Sequence, residues 1–170
     1  LSSRSIWVVC SMNSRLPIRA ALACAAGLIA VCVTSAIAAN VPEPPAGERD
    51  GIIFERQNTM MQLDRDGEAL GKIVAGLAPP DQLGAVTRSL ASSARDALRD
   101  FQNKVPGGRS KPEVWSNNAD FMARMEAFAR NAEAMAAAGQ TGNVAAVTER
   151  IIDAMPCKQC HDLYRAPKKP

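Results

Sequence analysis

The sequence Cys157-Lys158-Gln159-Cys160-His161, close to the end of the 170-residue chain, is a C-x-x-C-H motif. This spacing is typical of haem attachment, in which two thiols bond to the haem and the adjacent imidazole binds its iron. On a helix these side chains stand at i, i+3 and i+4 and leave from one face. The motif therefore predicts a helix at this point, with Cys157 and Cys160 attaching a haem and His161 as the proximal iron ligand.

Other uses of the motif fit the rest of the chain less well. A zinc site would need further ligands, but His161 is the only histidine. A thioredoxin-like redox pair is expected near a βαβ pattern, and the chain shows no strand-like alternation of apolar and polar residues. A haem-free redox dithiol remains the alternative interpretation of Cys157 and Cys160.

The N-terminal residues have the pattern of an export signal. Arginines follow Met12, an apolar run covers Ala20–Val33, and Ala36-Ile37-Ala38 resembles a signal-peptidase site. We therefore interpret residues 1–38 as an upstream extension and a secretory signal peptide cleaved near Ala38. A transmembrane anchor is the alternative, but the small residues at the end of the run favour cleavage. The expected location is the periplasm, without a stable membrane anchor.

Cleavage changes both the charge and the cysteine content. The full chain has 20 Lys and Arg against 17 Asp and Glu, and three of the arginines precede the cleavage site. The exported chain is therefore formally neutral, which gives no support to nucleic-acid binding. Three of the five cysteines are also removed, so only the two motif cysteines reach an oxidising compartment.

The remaining sequence has the period of long helices. A proline-rich lead-in covers residues 39–47, and helices are predicted at about 48–78, 81–104, 111–139 and 143–165. Short connections predict an all-α, antiparallel up-down-up-down four-helix bundle at residues 48–170, with one covalently bound haem c. Pro156 interrupts the last helix, so we expect either a bend there or the start of a new helical turn.

Two residues on the inward face of the first helix are not typical core residues. Arg56 and Gly67 occupy heptad positions where leucine is expected. A cofactor would explain both, because glycine leaves room for a flat ligand and arginine can meet a propionate. The alternative is that Arg56 reaches solvent and that Gly67 merely weakens the helix.

Three motifs in order resemble class II c-type cytochromes, the cytochrome c prime family. They are Arg56-Gln57-Asn58-Thr59-Met60, Lys111-Pro112-Glu113-Val114-Trp115-Ser116 and Cys157-Lys158-Gln159-Cys160-His161-Asp162-Leu163-Tyr164-Arg165. The resemblance implies one haem c per chain, with Arg56 and Gln57 at the haem edge. It also implies that Met60 faces the distal side of the iron; core filling is the alternative for a methionine at this heptad position.

The role of Met60 separates the two main functions. If its thioether is the distal iron ligand, the protein is an electron carrier for a periplasmic redox partner. If Met60 only packs over the iron, the resemblance implies an open site for a diatomic gas such as NO or CO. Neither role is catalytic, so no enzyme activity is expected. The resemblance further implies a homodimer.

Overall fold

A computed structural model describes residues 44–168, which lie in one compact unit, Val41–Pro170. The predicted signal peptide, its cleavage near Ala38 and most of the lead-in lie outside the described residues. The described part contains helices and no β-strand; an isolated antiparallel bridge joins Ser110 and Arg165. None of its helices is both long and apolar enough to cross a membrane.

Within residues 44–168, seven α-helices form the four bundle positions. Helix α1 is Ala46–Val74 and, after a 3₁₀ turn at Pro80–Gln82, helix α2 is Leu83–Asp100. The third position is divided between α3, Glu113–Ser116, and α4, Asn118–Gly139. The fourth position consists of α5, Val144–Thr148, α6, Ile151–Ala154, and α7, Cys157–Tyr164. The predicted four-helix bundle is confirmed.

All four predicted helices end or break earlier than the sequence suggested, and the first ends at Val74 rather than near residue 78. The second ends at Asp100 rather than Lys104, because the carbonyl groups that follow bind Arg56. The third breaks at Asn117, whose φ of −111° and ψ of 43° are not helical. The side-chain amide of the next residue, Asn118, donates to the Val114 carbonyl at 3.1 Å and so closes the end of α3.

The fourth helix was predicted as one element and is three. The first break falls at Glu149 and Arg150, and the second falls at Met155. Pro156 then occupies the N-cap position of α7. Proline has no N–H to continue the preceding helix, but its fixed φ is compatible with the start of a new one. Of the two outcomes expected at Pro156, the structure has the second, so the motif begins a helix of its own.

The core has three parts along the bundle. An aliphatic cluster fills one end and consists of Leu70, Ile73, Leu83, Leu90, Met135, Val147 and Ala154. An alanine cluster lies between α2 and α4 and consists of Ala91, Ala94, Ala129, Ala132 and Ala136. An aromatic cluster consists of Ala97, Phe101, Val114, Phe121, Met125 and Tyr164. The aromatic cluster is the one that α7 contacts, through Tyr164.

Close approach of α2 and α4 requires small residues. A Cβ atom placed on Gly139 would lie 2.1 Å from Oγ1 of Thr87, which is fully buried. The Thr87 hydroxyl donates to the Leu83 carbonyl at 2.8 Å, which holds the side chain in place. Gly139 is therefore required where the two helices meet.

Candidate functional site

Helix α7 carries the three motif side chains. Cys157 is exposed, whereas Cys160 and His161 are partly buried; both cysteines are free thiols. The helix begins with a backbone hydrogen bond from Cys160 to the Pro156 carbonyl at 3.1 Å. The spacing of three and four residues places the side chains on one face, as predicted.

The buried side of α7 contacts the aromatic cluster. The Tyr164 ring lies 5.0 Å from the Phe121 ring, edge to face at 74°, and Phe121 lies 5.0 Å from Phe101 at 65°. Partly buried side chains pack on the same cluster: Met60, Leu63, Leu98, Trp115, Met122 and Cys160. The structure therefore brings a thioether of α1 and a motif thiol to one apolar region.

The polar end of Tyr164 anchors α7 to α4. Its hydroxyl donates a hydrogen bond to Oδ2 of Asp120, and the Asn117 amide donates to the hydroxyl oxygen at 3.3 Å. Arg124 also donates to Asp120 Oδ2, at 2.7 Å. The hydrogen bond from Arg124, and then the one from Tyr164, lower the pKa of the Asp120 carboxyl. Sequence reasoning missed Asp120, because its partner Tyr164 lies 44 residues away.

Arg56 is buried, with 5% of its surface exposed, so the alternative that it reaches solvent is wrong. Its guanidinium donates to the carbonyls of Asp100 at 3.1 Å, Val105 at 2.5 Å, and Asn103. It also lies 4.7 Å from the centre of the Phe101 ring. The side chain thus closes the turn after α2, and its predicted place at a haem edge stays a prediction.

The other candidate residues of α1 differ in their surroundings. Met60 is partly buried on the aromatic cluster, whereas Met61 is 50% exposed. Gln57 is exposed, and its Nε2 atom lies close to Gly108, 3.4 Å from where a Cβ would stand. The space beside Gly67 is occupied by the Met155 methyl group, 2.9 Å from an added Cβ. That glycine therefore admits the segment that leads into α7.

Desolvation by the surrounding protein, which reaches even the exposed Cys157, shifts the pKa values of the motif residues. Desolvation is the main cause that raises the pKa of both thiols, Cys157 and Cys160, so they stay protonated at neutral pH. Desolvation, then the charges of Arg165 and Arg109, lower the pKa of His161. The imidazole is therefore neutral at neutral pH, which is the state that binds a metal.

The loop before α3 holds the residues that follow the motif. The Lys111 N–H donates to the Tyr164 carbonyl at 2.9 Å, and the Ala166 N–H donates to the Arg109 carbonyl at 2.8 Å. The Arg109 guanidinium returns two hydrogen bonds to the Ala166 carbonyl, at 2.9 and 2.7 Å. These bonds fix the C-terminal end of α7.

The chemistry of these groups fits a covalently held haem. Two free thiols and a neutral imidazole leave one helix face, beside an apolar region that suits a porphyrin. Within residues 44–168 no group of three or more His, Cys, Asp or Glu side chains is arranged to bind a metal ion. A helical bundle with this motif on its last helix defines the class of c-type haem proteins.

The comparisons define the family. The family model for Cytochrome C' matches residues 51–165, which is more than half of the chain, so the chain belongs to the cytochrome c' family. The cytochrome c' of Alcaligenes xylosoxydans xylosoxydans is 29% identical over 116 residues, covering 66% of this chain and 91% of that protein. That of Rubrivivax gelatinosus is 32% identical over 82 residues, covering 48% and 64%.

Solved structures agree with this assignment. A nitric oxide complex of a variant of Alcaligenes xylosoxidans cytochrome c prime has a TM-score of 0.65 and 27% identity, covering 71% of this chain and 97% of that one. A carbon monoxide-bound variant of the same protein also has a TM-score of 0.65 and 27% identity, covering 70% and 97%. The predicted family is confirmed, and the cofactor is haem c with its iron.

Proposed function

We propose that the protein is a periplasmic electron carrier with one haem c held by Cys157, Cys160 and His161, and with Met60 as the sixth ligand. The observation that carries this proposal is that Met60 packs on the same buried cluster as Cys160. A thioether on α1 is thereby available at the apolar region that α7 borders. Haem c supplies an iron that gains or loses one electron.

The residues of the chain have separate tasks in this proposal. Cys157 and Cys160 would hold the cofactor through two thioether bonds, each the product of adding S–H across a vinyl double bond, with the sulfur and the hydrogen each bonded to carbon. His161 offers a neutral ring nitrogen to the iron. The aromatic cluster would limit the access of water to the site, and an apolar shell of this kind tunes the redox potential of a bound metal.

The thioether suits the distal role because of its flexibility. Methionine has three rotatable bonds, so Met60 can fill an apolar space and also turn its sulfur toward a metal. Met61 is half exposed on the next face of the helix, which disfavours it. Met122 also packs on the cluster and is therefore the second methionine to test.

Binding of a diatomic gas is the second candidate function. Two of the similar structures described above are complexes of a cytochrome c prime with nitric oxide and with carbon monoxide. An apolar region around Met60 would admit such ligands if the thioether packs without ligating. The haem-free dithiol oxidoreductase has less support, because desolvation raises the pKa of both thiols and a reactive thiol needs a lowered one. Neither leading role involves catalysis.

The spectrum of the ferric, exported holoprotein tests the proposal. Ultraviolet–visible and EPR spectra are recorded for the wild type, Met60→Leu, Met122→Leu and Met61→Leu, where the last variant is the matched exposed control. We expect a low-spin wild type that becomes high-spin only in Met60→Leu. A high-spin wild type that binds CO or NO would refute the sixth ligand and make gas binding the leading function.

Covalent attachment and location have their own test. Haem staining after denaturing electrophoresis should be positive for the wild type and lost in the double variant Cys157→Ala/Cys160→Ala. Fractionation of the producing cells should place the stained protein in the periplasm, with a mass that corresponds to cleavage near Ala38. An unstained wild-type protein would contradict the proposal and favour the dithiol.

A further inference from the structure

We propose that Asp120 is a positioning residue for the iron ligand His161 and that it acts through Tyr164. The Asp120 carboxylate holds the Tyr164 hydroxyl, and Tyr164 in turn fixes the rotation of α7 about its own axis. That rotation decides where the imidazole of His161 lies. The inference rests on the proposed ligation of the iron by His161 and adds the residue that keeps this ligand in place.

Helix α7 is not continuous with the helix before it. Met155, at the end of α6, has a φ of −132° and a ψ of 62°, which are not helical, and α7 begins after Pro156. A helix that continues from another inherits its rotation about the axis, because each residue turns by a fixed angle. Helix α7 has eight residues and no such continuation, so its rotation depends on contacts with the rest of the bundle.

Tyr164 makes these contacts from the face that carries the motif. It follows His161 by three residues, so the two side chains leave α7 on the same side. Only 5% of the residue is exposed, and its ring packs edge to face on Phe121 of α4. Its hydroxyl donates to Asp120 and accepts from Asn117. Tyr164 therefore connects α7 to the start of α4 both by its ring and by its hydroxyl.

A small rotation of α7 would displace the His161 ring. Side chains of a helix end about 5–6 Å from its axis, so a rotation of about 10° moves their ends by about 1 Å. A functional group needs to be held within about 0.5 Å of its working position. A hydrogen bond between two oxygens spans about 2.5–3.0 Å, so the same displacement would break the bond of Tyr164. That bond therefore limits the rotation to a range in which the position of the imidazole changes little.

The start of α4 presents the Asp120 carboxylate to Tyr164. Asp120 lies in the first turn of α4, three residues after the non-helical Asn117. Arg124, one turn later, donates to Oδ2 of Asp120, which is the oxygen that also accepts from Tyr164. Arg124 thus fixes the direction of the oxygen that α7 uses. The pair lies beside the motif, because the charges of Arg124 and Asp120 act, after desolvation, on the pKa of the Cys160 thiol.

Stabilisation of α4 alone is the other role that Asp120 could have. A carboxylate in the first turn of a helix interacts favourably with the helix dipole, and Asp120 forms an i,i+4 ion pair with Arg124. Neither effect involves α7. Both hydrogen bonds to Asp120 end on one oxygen, so an amide oxygen can accept them in its place, whereas the charge is lost. Asp120→Asn therefore separates the two roles.

Resonance Raman spectroscopy of the ferrous holoprotein tests the proposal through the iron–histidine stretching band. Every protein carries Met60→Leu, so that His161 is the axial side chain whether or not Met60 ligates in the wild type. The variants in this background are Asp120→Ala, Asp120→Asn, Tyr164→Phe and the double variant Asp120→Ala/Tyr164→Phe. Guanidinium chloride unfolding of the same proteins measures the stability of the fold separately.

Glu126→Ala, in the same background, is the matched control. Glu126 is also an acidic residue of α4 that forms an i,i+4 ion pair, with Arg130 at 3.7 Å. The pair is exposed and makes no hydrogen bond to α7 within residues 44–168. Its loss should leave the iron–histidine band unchanged.

We expect Asp120→Ala and Tyr164→Phe to lower the frequency of the band equally and to broaden it about twofold, because each change frees α7 to rotate. The double variant should add nothing to either single variant, since the two residues act in series. Asp120→Asn should keep the band of the background protein, although it loses the ion pair and some stability. This rescue by an amide would not be seen if Asp120 served α4 alone.

Three results would overturn the positioning role. They are a band in Asp120→Ala that matches the Glu126→Ala control, a band in Asp120→Asn that matches Asp120→Ala, and effects of Asp120→Ala and Tyr164→Phe that add in the double variant. A high-spin wild type refutes the Met60 ligand but leaves this comparison intact. The absence of an iron–histidine band from the background protein would refute the His161 ligand itself, and with it the role of Asp120.

Discussion

Replacement of Arg56 by methionine should destabilise the protein by about 3–7 kcal/mol. The buried guanidinium donates three hydrogen bonds to carbonyls and lies over two aromatic rings, at 4.7 Å from Phe101 and 5.2 Å from Trp115. The Val105 carbonyl lies at a buried residue, so its lost bond costs about 1–3 kcal/mol. The carbonyls of Asp100 and Asn103 regain water and cost about 0.5–1 kcal/mol each, and each ring contact adds about the same.

Guanidinium chloride unfolding of the holoprotein, followed by far-UV circular dichroism, measures this loss. Arg56→Lys keeps the charge without the planar fork and should lose about half as much. Arg65→Met is the control on the same helix; its guanidinium is exposed, and its loss should cost below about 0.5 kcal/mol. For a chain of this size the Arg56→Met loss corresponds to a fall in Tm of about 10–30 °C. A loss no greater than that of the control would refute the assignment of Arg56 as the closure of the turn after α2.

Tyr164 and two glycines give further predictions. Burial, and then the bond to Asp120, raise the pKa of the Tyr164 phenol above its usual value near 10. Below that pH both folded and unfolded chains keep the proton; above it the unfolded chain loses the proton first, so the free energy of unfolding should fall as the pH rises past about 10. Tyr164→Phe should abolish this fall, and a phenolate titration of this single tyrosine with an ordinary pKa would contradict it. Gly139→Ala should destabilise the fold by about 2–3 kcal/mol, because the added methyl group meets Thr87. The control Gly71→Ala has open space around it and should stabilise the fold by up to about 1 kcal/mol. Denaturant midpoints that move equally in the two variants would refute the close approach of α2 and α4.

The sequence predicted those features that repeat or stand close together in the chain. The helical period defined the four bundle positions, and the heptad placed Arg56 and Met60 on the inward side of α1. The C-x-x-C-H motif defined its own geometry, because i, i+3 and i+4 share a face on any helix. Family and cofactor followed from the same residues.

The features that sequence reasoning missed depend on contacts across the fold. The break at Asn117 coincides with its contact to Tyr164, which is 47 residues away. The carbonyl groups that accept hydrogen bonds from Arg56 belong to residues 44 to 49 positions away. No local pattern records such partners. The divided fourth helix was foreseen only at Pro156, because the earlier break at Glu149 and Arg150 contains no proline or glycine.

The division of the fourth helix affects how the molecule opens. Helices α5, α6 and α7 contain five, four and eight residues, and isolated helices shorter than about 12 residues are marginal in water. This segment of the bundle therefore depends on its contacts with α1, α4 and the loop before α3. It should separate from them as a cooperative unit, at a lower free energy than global unfolding requires. Amide hydrogens of residues 144–164 should accordingly exchange sooner than those of α2. The thiols of the motif thus lie on the part of the chain that detaches most readily, while the other three positions of the bundle keep their order.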